Sequence, residues 1–325
     1  MTDPGTKTQL PPATAKAFIG FGCSNLLGEK SRAEGSQLLE AAYASGITHF
    51  DVARVYNYGD AEVLVGEFQA GKRDKITLTT KFGLMPAGNV AKMKGPIQVV
   101  RSIMRSSSLV RRLVRRNVKK LTQAGKFDVL TAQSSLDTSL KSLKTDYIDF
   151  FLLHEAFADD CTPELFEFLN EAVKRGKIRA YGVGSNYAKM ERIAKERPEF
   201  LPIAQFNSNL LENNLQSFQA IPPAGTSMTI THGALSAAEA IRNRLKADPS
   251  LATKWNNLVG FDLTSTPALY MALLQWSLSS NPGGGVIFRA STPERISSNL
   301  KFLANGAWTQ EQTLAMDRLA SQLAP

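Results

Sequence analysis

Two patterns of apolar and polar residues alternate along this chain. Short β-branched or aromatic runs are each followed by a longer stretch of helical period. Successive strand–helix units with a parallel sheet have this pattern. It predicts strands at Phe18–Cys23, Thr48–Ala53, Ile76–Lys81, Ile148–His154, Ile178–Val183, Ile203–Phe206, Met228–Thr231 and Val286–Phe288. It predicts helices at Arg32–Ser45, Asp60–Ala70, Asp128–Leu143, Pro163–Arg175, Lys189–Lys195, Ala237–Lys246, Pro267–Ser280, Pro293–Phe302 and Gln310–Leu323.

Repetition of this unit predicts an α/β fold, a closed (β/α)8 TIM barrel rather than an open doubly wound sheet. No Pro-, Gly- or Ser-rich linker divides the 325 residues, so we expect a single barrel domain over 1–325. Two segments break the alternation: a basic insert after the third strand, at about residues 84–127, and a Pro-containing loop around Asn207–Gly225. Both follow a strand's C-terminal end, which places them at the face where barrel active sites form.

The positive charge of the chain is concentrated in the basic insert. The formal net charge is +9, and between Met85 and Lys126 the chain has eleven Lys or Arg but no Asp or Glu. The segment RSIMRSSSLVRRLVRRNVKK suits a basic amphipathic helix, which could bind nucleic acid or an acidic membrane. Its apolar positions favour a helix packed on the barrel, so nucleic acid is not the expected partner. Near the active-site mouth, these charges would favour anionic substrates.

Cysteine content and hydropathy indicate the compartment in which we expect the protein. Cys23 and Cys161 are too few for a disulfide framework or a thiolate metal cluster. The opening MTDPGTKTQLPPATAK lacks the apolar core of a signal peptide, and no apolar stretch of about 18 residues could span a bilayer. We therefore expect a cytoplasmic protein without a metal site.

Four ionisable residues stand at or just after predicted strand ends: Asp51, Tyr56, Lys81 and His154. Taken singly, each has a simple structural explanation, such as a cap, a core aromatic, a surface charge or a buried histidine. Together they suit proton transfer, because a phenol of pKa about 10 is a poor acid near neutrality unless a nearby ammonium lowers its pKa. A carboxylate would keep that ammonium charged, and an imidazole would donate a hydrogen bond to a developing oxyanion.

The motifs around these residues, DVARVYNYGDAE, TTKFG and DYIDFFLLH, resemble those of the aldo-keto reductases in the same order. The resemblance covers nearly the whole chain. It implies that Asp51, Tyr56, Lys81 and His154 form the catalytic tetrad of an NAD(P)H-dependent oxidoreductase. Such an enzyme interconverts an aldehyde or ketone and its alcohol, here with Tyr56 as proton donor. Tyr58 is a rival donor, but Tyr56 has the five-residue offset from Asp51 that the family shows.

The resemblance also implies NADPH as cofactor, with NADH bound more weakly. Three residues would hold the nicotinamide carboxamide: Ser185, Asn186 and Gln205. His232 stands where the family usually has a stacking tyrosine. The pyrophosphate, the 2′-phosphate and adenine would be bound by Gly233, Leu235, Arg289, Ser291, Arg295 and Asn299. Gly22 and Cys23, at the end of the first strand, complete the expected cofactor site.

Two other functions are compatible with parts of the pattern. A regulatory protein of the same fold could bind the cofactor with little turnover, although an intact set of four catalytic residues weighs against it. A barrel lyase could form a Schiff base on Lys81, but it would not explain Asp51 and Tyr56.

Overall fold

The computed structural model describes residues 17–27, 30–86, 122–123, 125–221, 226–301 and 308–323. Eight parallel strands close into a barrel, each paired with its neighbours along the chain and β8 paired with β1. The strands are β1 Phe18–Gly22, β2 His49–Asp51, β3 Thr77–Phe82, β4 Ile148–His154, β5 Ile178–Gly184, β6 Ile203–Asn207, β7 Met228–His232 and β8 Gly285–Phe288. The predicted (β/α)8 barrel is confirmed.

Helices surround this barrel, and each predicted helix is found with small shifts at its ends. They are α1 Arg32–Ala44, α2 Asp60–Phe68, α3 Val129–Leu143, α4 Pro163–Lys174, α5 Tyr187–Glu196, α6 Asn214–Gln219, α7 Ala238–Ala247, α8 Pro249–Val259, α9 Thr266–Ser279, α10 Pro293–Leu300 and α11 Gln310–Ser321. Their first turns carry side-chain caps where the sequence allows. The Ser31 side chain accepts from the Glu34 backbone N–H, and Asp128 from that of Thr131.

Two helices were not predicted. Helix α8 begins after Asp248, whose side chain accepts from the Leu251 N–H, and it buries Trp255. The Pro-containing loop predicted around Asn207–Gly225 contains the unpredicted helix α6, which Asn213 caps and in which Leu215 and Phe218 are buried. In both cases a capping side chain and buried apolar residues stabilise the helix, and α6, with six residues, is too short to show a clear period.

The alternation of side chains along the strands determines which residues face the barrel interior. In β4, Phe150 and Leu152 belong to the interior cluster, whereas Phe151 and Leu153 pack in the layer between strands and helices. His154 therefore lies on the inward face of β4, at its C-terminal end. Because all eight strands are parallel, their polar C-terminal ends lie at one mouth of the barrel.

The predicted helix of the basic insert lies outside the described residues. At the base of the insert, Met85–Pro86 pairs antiparallel with Thr122–Gln123. Among the described helices, none combines the length and apolarity needed to cross a bilayer. The single-domain organisation over 1–325 stays a prediction.

The N-terminal side of the barrel is tied together by Asp149. Its carboxylate accepts from the Leu78 backbone N–H at 2.9 Å and from Arg73 Nη2 at 2.7 Å. Arg179 Nη1 lies 2.9 Å from the other carboxylate oxygen. One buried side chain on β4 thus links β3, β5 and the turn before β3.

We expect Asp149→Ala to lower the free energy of unfolding by about 3 kcal/mol, because it leaves a buried N–H unpaired and a largely buried guanidinium without its carboxylate partner. Urea denaturation monitored by circular dichroism measures the change. Asp146→Ala is the matched control, since Asp146 is exposed two residues before the strand and should change stability by less than about 0.5 kcal/mol. An equally small loss for Asp149→Ala would contradict this role.

Candidate active site

Strand ends converge on a cavity of about 710 Å³ at the C-terminal mouth of the barrel. Asp51 ends β2, Lys81 is the penultimate residue of β3, and His154 ends β4. Tyr56 opens a short 3-10 turn, Tyr56–Gly59, that follows β2. All four side chains line the cavity, so the structure brings together the residues that the motifs singled out.

Asp51 and Lys81 form an ion pair in the floor of this cavity. Lys81 Nζ donates to Asp51 Oδ1 at 2.5 Å, and Gln205 Nε2 donates to Asp51 Oδ2 at 2.7 Å. The two charged residues are only 3% and 4% exposed. Charges so deeply buried are tolerated because each has an opposite charge and directed hydrogen bonds.

The pair holds both groups in their charged forms. Burial by itself would raise the pKa of Asp51, but the Lys81 charge and the hydrogen bonds from Lys81 and Gln205 outweigh it and lower the pKa. Burial would lower the pKa of Lys81, and the Asp51 charge reverses this so that the pKa is raised. The cavity therefore contains a fixed ammonium at neutral pH.

The turn after β2 directs Tyr56 toward this ammonium. Lys81 Nζ lies 5.5 Å from the Tyr56 ring centroid. The Tyr56 and His154 rings meet edge to face, with centroids 5.8 Å apart and an interplanar angle of 84°. Asn57 and Tyr58 follow in the left-handed region, with φ of 51° and 60°. Tyr58, the rival proton donor, does not line the cavity.

Burial dominates the acidity of Tyr56. It raises the pKa of the phenol, and the opposing charge of Lys81 does not cancel it, so the pKa is raised overall. The sequence reasoning expected the ammonium to lower the pKa, which is wrong for the net direction because the desolvation of the ring was not considered. Tyr56 accordingly keeps its proton at neutral pH, the form that a proton donor needs.

His154 is neutral in this site. Burial lowers its pKa from 6.5 to about 3, and the Lys81 charge acts in the same direction. Its Nδ1 atom is buried without a hydrogen-bond partner among the described residues. A buried polar atom without a partner marks a position that a water or a ligand can complete.

Most of the residues expected to bind a cofactor line the same cavity. They are Gly22, Ser185, Gln205, His232, Gly233, Leu235, Arg289, Ser291, Arg295 and Asn299. Two others are not among the lining residues. The buried Cys23 thiol donates to the Phe21 carbonyl at 3.6 Å, and Asn186 caps α5 by accepting from the Lys189 N–H at 3.2 Å. Both are engaged in local backbone structure.

The end of the cavity beside β8 is cationic. Arg289 Nη1 donates to Ser24 Oγ at 3.0 Å, and Arg295 Nη1 donates to Ser291 Oγ at 2.9 Å. Within the described ranges neither guanidinium forms an ion pair with a carboxylate. A side chain at Gly22 would place Cβ 2.9 Å from Arg289 Cγ, so glycine allows the arginine to lie over the end of β1. This end of the cavity suits an anion.

Sequence reasoning missed several lining residues, including Ser24, Lys30, Glu155 and Tyr270. Ser24 and Lys30 follow β1 and Glu155 follows β4, so their positions after strand ends were a usable signal. Tyr270 belongs to α9 and had no such signal. Glu155 is notable because it carries a negative charge next to His154.

Comparison with known proteins identifies the family and agrees with the fold. A family model described as "Aldo/keto reductase family" matches residues 18–321. The uncharacterized oxidoreductase YqkF of Bacillus subtilis is 26% identical over 327 residues, covering 94% of this chain and 92% of that protein. Norsolorinic acid reductase of Aspergillus flavus is 29% identical over 172 residues, 52% of this chain but only 38% of that protein. An aldo-keto reductase from Klebsiella pneumoniae in complex with NADPH has a TM-score of 0.61 at 23% identity, covering 96% of this chain and 93% of that chain, a likeness of fold.

The depressed pKa of His154 predicts a specific pH dependence of stability. Between pH 6.5 and about 3 the unfolded chain takes up a proton that the native imidazole does not bind, so stability falls as the pH is lowered through this range. His154→Gln should remove this contribution. The loss of unfolding free energy from pH 7 to pH 5 should then be smaller than in the wild type by about 1 to 2 kcal/mol.

Urea denaturation at the two pH values measures the difference. His232→Gln is the comparison variant. Burial also lowers the pKa of His232, but less than that of His154, so this variant should reduce the pH dependence in the same direction by a smaller amount. The same loss in wild type and His154→Gln would show that His154 is not held neutral.

Proposed function

The chain belongs to the Aldo/keto reductase family, and we propose on that basis that it is an NADPH-dependent oxidoreductase interconverting an aldehyde or ketone and its alcohol. Tyr56 is the proposed proton donor. The observation that carries the proposal is the meeting of Asp51, Tyr56, Lys81 and His154 around one cavity. The substrate is a small carbonyl compound or alcohol.

The residues that line the cavity include side chains suited to each part of a nicotinamide dinucleotide. Arg289, Ser291 and Arg295 would hold the 2′-phosphate, and Asn299 the adenine. Ser185 and Gln205 would face the carboxamide, with His232 against the ring. The bound cofactor would supply the hydride. The NADPH complex of the Klebsiella pneumoniae relative, which shares this fold, supports the choice of cofactor.

The chain's own residues provide the proton and the electrostatic environment. Neutral His154 donates a hydrogen bond to the carbonyl oxygen, which stabilises the negative charge that develops there. Tyr56 holds its proton at Oη and transfers it to that oxygen. Lys81 stabilises the phenolate left behind, and Asp51 keeps Lys81 charged and in place. The carbonyl thus gains a hydride at carbon and a proton at oxygen.

Replacing the proton donor tests this function. Tyr56→Phe should lower kcat for carbonyl reduction by at least about 100-fold, because it removes the transferred proton and little binding surface. The affinity for NADPH should be nearly unchanged. Oxidation of NADPH at 340 nm with a panel of aldehydes, ketones and keto-sugars measures the rate.

Tyr58→Phe is the matched control, since Tyr58 does not line the cavity and its loss should leave kcat within a few-fold of the wild type. If Tyr58→Phe is inactive while Tyr56→Phe turns over normally, the assignment of the donor is wrong.

The cationic end of the cavity predicts a preference for NADPH over NADH. Charged hydrogen bonds to the 2′-phosphate should give at least about a tenfold difference in Kd, allowing for solvent screening of two exposed guanidinium groups. The double variant Arg289→Ala/Arg295→Ala should lose most of it. Arg192→Ala removes an exposed guanidinium that pairs with Glu196 on α5, and serves as the control. Calorimetric titration measures the Kd of each cofactor. Equal wild-type affinities for NADPH and NADH would contradict the proposal.

A further inference from the structure

Glu155 is held in an unusual conformation at the mouth of the barrel. It follows His154 directly and has a φ of 63°, in the left-handed region that residues with side chains seldom occupy. Its backbone N–H donates to the Gly184 carbonyl at 2.8 Å, which extends the pairing of β4 with β5. The conformation brings a carboxylate to the lining of the cavity.

Three donors fix this carboxylate, and all three bind the same oxygen. Glu155 Oε2 accepts from Lys189 Nζ at 3.1 Å, from Asn186 Nδ2 at 3.2 Å and from Ser185 Oγ at 3.5 Å. Lys189 Nζ also donates to the Glu155 carbonyl at 2.8 Å and lies 4.1 Å from the Phe157 ring centroid. The side chain is therefore anchored to helix α5 and to the two residues that precede it.

The second carboxylate oxygen is available. Within the part of the chain that the structure describes, no side chain or backbone group donates to Glu155 Oε1. A carboxylate accepts hydrogen bonds at both oxygens and donates none. Asn186, which the motifs assigned to cofactor binding, uses its amide on Glu155 and on the helix cap, and is not among the cavity-lining residues.

We propose that Glu155 Oε1 accepts a hydrogen bond from the amino group of the nicotinamide carboxamide; this inference rests on the proposed function. Ser185 lies between Glu155 and Gln205, because its Oγ donates to Glu155 and its backbone N–H donates to the Gln205 carbonyl at 2.9 Å. Gln205 in turn donates to Asp51. Glu155 thus belongs to the same polar rim as the two residues proposed to face the carboxamide.

The acceptor makes the site selective for a primary amide. With its proton directed at Glu155, the Ser185 hydroxyl also presents an acceptor to the cavity. A methyl ketone of the same shape has no N–H to offer, and would cover the partly exposed Glu155 acceptor without pairing it. The acetylpyridine analogue of NADPH, in which a methyl group replaces the amino group, tests this directly.

The measurement is calorimetric binding of three probes: NADPH, its acetylpyridine analogue and 2′,5′-ADP, which lacks the nicotinamide. The wild type should bind NADPH at least about tenfold more tightly than the analogue. In Glu155→Gln, Lys189 should draw the amide oxygen to itself, so that the cavity receives a donor instead of an acceptor. NADPH affinity should then fall about tenfold, the preference over the analogue should disappear, and 2′,5′-ADP affinity should be unchanged.

Two further variants separate this role from a structural one. Lys189→Met removes the anchor of Glu155 and should weaken the preference in the same direction but less. Glu191→Gln removes an exposed ion pair with Lys195 on the same helix and should behave as the wild type toward all three probes.

Each contrary result has a distinct meaning. The inference is overturned if Glu155→Gln binds NADPH and the analogue as the wild type does and only KM for the carbonyl substrate rises, since the acceptor would then serve the substrate. It is also overturned if all three probes lose affinity equally, since that is a general loss of structure. If the wild type binds neither NADPH nor 2′,5′-ADP, the proposed function is wrong and the inference falls with it.

Discussion

The buried ion pair of Asp51 and Lys81 is the interaction on which the rest of the site depends. An ammonium this deeply buried is stable only because a carboxylate 2.5 Å away compensates for its lost hydration. Its charge opposes the effect of burial on Tyr56 and contributes to keeping His154 neutral. One pair of charges therefore influences the protonation states of both the proposed proton donor and the proposed hydrogen-bond donor.

The barrel makes this pair possible. Neighbouring parallel strands end at the same face, and alternate side chains of each strand turn inward, so β2 and β3 deliver Asp51 and Lys81 to one point. Gln205 on β6 donates a hydrogen bond to Asp51, and the turn after β2 places Tyr56 beside the ion pair. Proposed proton-transfer groups thus lie on strand ends and on a short 3-10 turn.

The fold could be predicted because it depends on periodic features of the sequence, and the four proposed catalytic residues because their motifs resemble those of a known family. Strand runs and helical periods recur regularly, and polar residues at strand ends are visible in the pattern. The net direction of the Tyr56 pKa could not be predicted, because it depends on how completely the ring is desolvated. The sequence also did not predict the local partners of Asn186, which follow from a helix cap, or the left-handed conformation of Glu155, which follows from a turn. Helix α8 was missed although Asp248 and Pro249 mark its start.

The account centres on the transfer of a hydride to a carbonyl carbon and of a proton to its oxygen. Mass spectrometry of the alcohol formed from NADPH deuterated at C4 of the nicotinamide tests it most directly. The account predicts one deuterium on the former carbonyl carbon, transferred from a single face of the ring. It also predicts that no carbon-bound deuterium is acquired when unlabelled NADPH is used in D2O. An alcohol that gains carbon-bound deuterium from the solvent, or none from the labelled cofactor, would contradict it.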